Sequence, residues 1–71
     1  MEKRKLAGFV STFENGRKII GHWKFQYDYV FVDCNDSEFF GSFSIESSYY
    51  SAEDDALWCL KEIINSKEHK Y

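Results

Sequence analysis

The residues able to do chemistry are few and scattered. His22, Cys34, Cys59 and His69 are the capable metal ligands. Structural zinc sites draw their ligands in closely spaced pairs, and these four form no such pair. No metal is expected. The two cysteines lie far apart with no CxxC, so free thiols are expected over a disulfide. Serines, histidines and acids are present, but there is no GxSxG, no HExxH and no Gly-rich phosphate loop. Glu53, Asp54 and Asp55 are adjacent and read as caps at a helix start. A working carboxylate pair needs a cleft between its members. A chain of 71 residues rarely has the volume for a water-excluding pocket. No catalytic residue, no enzyme activity and no cofactor are expected.

The remaining functional signal lies in rings and charges. Aromatic residues make up 20% of the chain, with two Trp, five Tyr and seven Phe. Charge is segregated. Residues 1–24 hold six basic and two acidic groups, a net of +4. Residues 25–60 hold eight acids and no Lys or Arg, and residues 61–71 net +1, which sums to −3. One reading is internal neutralisation, with the basic first hairpin lying beside an acidic second one. The other is an acidic, aromatic surface that meets a basic protein. Charge would steer such an encounter, and aromatic anchors would hold it. Sheet aromatics can also stack bases, but that needs a cationic surface for the phosphates. Nucleic acid is therefore the lesser alternative, through basic residues 1–24 and the sheet aromatics.

The elements that must position these groups follow from periodicity. LAGFVSTFE, residues 6–14, alternates with period two, and ENGR follows. Asn-Gly between alternating segments predicts a type I′ hairpin, because both turn positions need positive φ. That turn pairs Phe13 with Lys18, Thr12 with Ile19, Val10 with Gly21 and Leu6 with Phe25. Leu6, Val10, Thr12, Ile19, Trp23 and Phe25 then share the core face. Phe9, Phe13, Ile20, His22 and Lys24 share the other. The run from Ile19 to Cys34 exceeds a typical strand and is broken near Gln26–Asp28. A third strand covers Tyr29–Cys34, CNDS turns the chain, and a fourth strand covers Glu38–Glu46. Phe25, Phe39, Phe43 and part of Trp23 and Phe31 are expected in the core.

Ser51 opens a helix, with Glu53, Asp54 and Asp55 at the positive end of its dipole. Asp54 stands three residues after Ser51, at capping-box spacing. Ala56, Leu57, Leu60, Ile63 and Ile64 fall within one apolar arc that must face the sheet. The fold class is α+β: a four-stranded antiparallel meander, β-β-β-β-α, with the helix on one face. It forms a single domain over residues 1–71, with 1–5 and 66–71 as frayed tails. No run is long and apolar enough for a membrane span, and the cytoplasm is the expected location.

Trp58 lies on the polar side of that helix, about 160° from Leu60 at 100° per residue. Its helical neighbours include Asp54, Asp55 and Glu62. Either the tail or the Tyr49–Tyr50 connection covers it, or it is an anchor for a protein partner. The candidate partner-binding set is Trp58, Asp54, Asp55, Tyr49, Tyr50, Tyr27 and Phe40. The bare sheet face, with Phe9, Phe13 and Ile20, and the open sheet edges suggest a homodimer through face or edge.

The strands followed by SAEDDALWCLKEII resemble HicB-type antitoxins, which end a small sheet with an acidic-start helix. The resemblance covers the last third of the chain. Its Pro-Asp and Gly-Asp-Thr signatures are missing here, so no site residue is carried over. The general build also resembles small acidic sheet-plus-helix inhibitors of host defence enzymes encoded by phages. Both resemblances imply an interaction module, of inhibitor, antitoxin or anti-defence type.

Overall fold

The computed structural model describes residues 6–68. Four strands run in order: β1 (Ala7–Glu14), β2 (Arg17–Gln26), β3 (Tyr29–Asn35) and β4 (Phe40–Glu46). They form one antiparallel sheet in the order β1-β2-β3-β4. One helix, α1 (Ala52–Glu68), packs on a single face. The expected β-β-β-β-α meander is the observed fold.

The first hairpin has the register that its turn dictates. Phe13 pairs with Lys18, Thr12 with Ile19 and Val10 with Gly21. The Phe25 N–H donates to Leu6 O at 2.7 Å, so pairing continues one residue beyond β1. Asn15 (φ 55°) and Gly16 (φ 81°) both take the left-handed conformation of a type I′ turn. The second hairpin repeats this geometry with Tyr27 (φ 57°) and Asp28 (φ 64°). The break near Gln26–Asp28 is therefore real, although neither Gly nor Pro marks it.

The core lies between the sheet and the helix. Val10, Ile19, Trp23, Val30, Val32, Cys34 and Phe39 come from the sheet side, and Ala52, Ala56, Cys59, Leu60, Ile63 and Ile64 from the helix side. Gly21 lets the two layers approach. A Cβ there would stand 3.0 Å from Leu60 Cδ1 and 3.3 Å from Val32 Cγ1, closer than well-packed carbons tolerate. Cys34 and Cys59 are free and buried, which agrees with the expectation of reduced thiols.

Three expectations need correction. Phe43 is not in the core but 38% exposed, Phe25 is only half-buried against it, and Phe31 falls by strand alternation on the face away from the helix. One helix is about 10 Å across, while four strands spaced about 4.8 Å span nearly twice that, so Phe43 on edge strand β4 stays incompletely covered, whereas Phe25 lies near the end of central strand β2. The fourth strand starts at Phe40, not Glu38. The N–H groups of Glu38 and Phe39 donate to Asp36 Oδ2 (2.9 and 3.2 Å), so this Asx-type turn holds residues the strand would otherwise use. The helix runs through Glu68, past Ser66, where a frayed tail was expected to begin. Residues 1–5 and 69–71 lie outside the described residues, and with them the rest of the expected tails and His69.

Candidate interaction surfaces

The two ends of the sheet carry different side chains. At one end sit the Asn15–Gly16 turn, the start of β2 and the 36–39 loop. Arg17 leaves β2 there and grips both acids of that loop. It donates to Asp36 through two 2.8 Å hydrogen bonds and to Glu38 through one of 2.7 Å. The guanidinium also lies over the Phe39 ring, 5.9 Å from its centroid. The Arg17 hydrogen bonds, with backbone N–H groups of Glu38 and Phe39, hold the Asp36 carboxyl well below the usual range. Donating to the Asp36 and Glu38 carboxylates raises Arg17 further above its ordinary value. Here the basic first hairpin does neutralise part of the acidic region.

The opposite end carries the Tyr27–Asp28 turn, the 47–51 loop and the start of α1. The Ser47 N–H donates to Asp28 O at 2.9 Å and ties the loop to the turn. A serine cluster then shapes the helix entrance. Ser48 Oγ lies 2.9 Å from Ser51 Oγ, and Ser47 Oγ and Ser51 Oγ both donate to Asp55 Oδ2. The Asp55 N–H donates to Ser51 O at 2.9 Å, the first helical hydrogen bond. Asp55 is thus half-buried and engaged in folding the entrance, while Asp54 is exposed. Tyr49 and Tyr50 meet edge to face at 5.3 Å. Asp28, Glu46 and Glu53 add exposed carboxylates at this end.

Trp58 lies on the helix flank beside β4. It is 49% exposed, and its ring stands 6.0 Å from that of Phe43. Phe43 gives it partial cover. Further along the same flank, an open cleft of about 510 Å³ runs between Phe40–Phe43 and the helix residues Glu62, Ile63, Asn65 and Ser66.

The candidate set is thus only partly gathered. Tyr27, Tyr49, Tyr50, Asp54 and Asp55 share one end, and Trp58 follows one helical turn on. Phe40 borders the cleft but belongs, by strand alternation, to the sheet face opposite the helix. Sequence reasoning missed Phe43 as Trp58's neighbour. A cross-flank contact of this kind leaves no periodic signal.

The possible chemistry is narrow. Among the described residues, no group of three or more His, Cys, Asp or Glu is placed to hold a metal ion. Burial, with Asp55 and Glu62 nearby, pushes the Cys59 thiol up to about 11, so it is a poor nucleophile at neutral pH. No helix is long and apolar enough to cross a membrane among the described residues. Known protein families, curated proteins and solved structures were each compared with the chain, and none matches.

Proposed function

We propose that this chain is a small non-enzymatic interaction module of inhibitor or antitoxin type. It binds a basic protein partner through its acidic end and the adjoining Trp58 flank. The observation that carries this reading is Tyr27. A bulky ring sits at φ 57° and is 82% exposed, in a position that Gly or Asn would occupy without strain. Strained residues persist where the surroundings hold them, and they cluster at functional positions. The Tyr27–Asp28 turn is tied to the 47–51 loop that carries Tyr49 and Tyr50, and residues 25–60 contain no Lys or Arg. Aromatic anchors ringed by one sign of charge fit a partner of the opposite sign.

The test is capture of the partner from the native host, followed by calorimetry with purified components. Trp58→Ala should weaken binding by about 2 kcal/mol or more, as hot-spot aromatics do. The half-exposed indole should contribute less to folding, so the stability loss stays below the roughly 3–5 kcal/mol of a buried Trp truncation. The reverse ranking would refute the anchor role.

A second reading, nucleic-acid binding, draws on the bare sheet face. Lys24 Nζ lies 5.8 Å from the Phe31 ring centroid there, and Phe9 meets His22 edge to face at 5.2 Å. Anisotropy titrations with single-stranded DNA and RNA separate the two. Tight binding with a steep salt slope would favour the second reading and count against the first.

A further inference from the structure

The sheet face away from α1 leaves several large apolar side chains uncovered. Strand alternation puts Phe9, Phe13, Ile20, Phe31 and Phe40 on it together. Phe9, Phe13 and Phe40 are 72%, 70% and 64% exposed. Solvated sheet faces are usually polar, and a contiguous apolar face marks an interaction site. Its charges are also sorted. Lys18, His22 and Lys24 stand on β2, whereas Asp33 stands on β3 and Glu46 on β4.

The strand register arranges these groups in rows. One row reads Phe9, His22, Asp33, Ser42 across the four strands. The next toward the Tyr27 end reads Ala7, Lys24, Phe31, Ser44. One row the other way, Ser11 pairs with Ile20, and Asn35 pairs with Phe40.

We propose that this face packs against the same face of a second copy, about a two-fold axis parallel to the strands. Such an axis exchanges β1 with β4 and β2 with β3 while keeping every residue in its own row. His22 of each copy then meets Asp33 of the other, and Lys24 meets Phe31. Size matches as well as charge. Phe9 falls over Ser42, Phe40 falls over Ser11, and Ala7 meets Ser44. An in-plane axis perpendicular to the strands would instead stack β2 on β2 and β3 on β3. Basic β2 would then face basic β2, and Asp33 would face the acidic strand of its twin. The face is therefore complementary to itself in one of the two isologous arrangements. Two sheets packed in this way stand about 10 Å apart and keep their strands within about 30° of one another. The contact leaves the helix start, the 47–51 loop and Trp58, which lie outside that face, free on both copies.

Sedimentation equilibrium from low micromolar to high micromolar concentration tests this. The wild-type chain should reach a dimer. Asp33→Lys should raise the dimer dissociation constant at least tenfold. The double exchange His22→Asp with Asp33→His should bring it back within about threefold of wild type. All substituted positions are exposed, and circular dichroism checks that each variant is folded. A wild-type chain that stays monomeric throughout, or a dimer indifferent to Asp33→Lys, would overturn the proposal. A short bis-maleimide adds a register test. In an equimolar mixture of Phe9→Cys and Ser42→Cys chains, the mixed product should dominate. Dominant Phe9→Cys self-coupling would assign the other axis and refute this one.

Discussion

The two hairpin turns share a backbone conformation and differ in everything else. Asn15–Gly16 is a sequence made for positive φ, and Gly16 has open space around it. Tyr27–Asp28 is not, for a bulky residue pays a steric penalty there. The first turn sits beside the Arg17–Asp36–Glu38 cluster, where charges are neutralised. The second sits beside Tyr49–Tyr50 and the acidic helix start, where carboxylates and rings face solvent. One end of the sheet is thus built by local preference. The other is held in place by contacts with a distant loop, including the Ser47 to Asp28 hydrogen bond. The contrast teaches that a strained turn can be retained where its side chain, not its backbone, is what matters.

The harshest way to break this contrast is to transplant the poor turn onto the good end. Asn15→Tyr with Gly16→Asp should destabilise the fold by about 2 kcal/mol, since left-handed backbone costs about 1–2 kcal/mol for most side chains. Among the described residues, no backbone hydrogen bond ties that turn to a distant loop as Ser47 ties Asp28. Urea unfolding gives the value, and a shift near zero would show that the first turn tolerates any residue.

Gly16→Ala alone should destabilise by roughly 1 kcal/mol, through positive φ and not through a clash. A negligible change in melting temperature would mean that the turn relaxes to another type.

The opposite transplant sharpens the comparison. Tyr27→Asn with Asp28→Gly should stabilise the fold by somewhat under 1 kcal/mol, offset in part by Gly's larger unfolded-state freedom. Partner binding should fall in the same variant. Stability and binding moving in opposite directions is the signature of strain retained for recognition. If both rise or both fall, Tyr27 is a structural residue.

The smallest expected effect is electrostatic and belongs to the neutralised end. Arg17 lowers the Asp36 carboxyl below its ordinary value of 3.8. A lowered acid contributes stability above that ordinary value and loses it as pH falls below about 4. Asp36→Asn should therefore flatten the acid limb of the stability profile and change little at pH 7 beyond the lost pair, since exposed pairs contribute little. An unchanged acid limb would show that the pair is solvated away.

Much of this architecture is legible in the sequence. Asn15–Gly16 and the alternation of LAGFVSTFE were enough for the register of the first hairpin, which the structure reproduces pair by pair. The apolar arc from Ala56 to Ile64 marked the buried side of α1, and Trp58's position outside it matches its half-exposure. The spacing of Cys59 points to a free thiol but not to its place in the core, where it is fully buried. The polar character of CNDS indicated a turn but not the Asp36 hydrogen bonds that delay β4 to Phe40. The candidate surface was the least legible part. Its members come from the β2–β3 turn, the 47–51 loop and the helix, which are joined only in space.

The sequence by itself determined which residues share a face, because strand and helix periods are local properties of the backbone. It also determined where charge accumulates along the chain, and that the first turn closes as it does. The bare face with Phe9 and Phe13 was legible in the alternation, and only the tertiary structure decided that Phe43, on the helix side, also stays partly in water. One helix covers the Val10, Ile19 and Trp23 side and reaches Phe43 from a single flank. That choice leaves Phe9, Phe13 and Phe40 bare on the far face. The reason is geometric: a helix about 10 Å wide cannot cover both faces, or even the full width, of a four-stranded sheet.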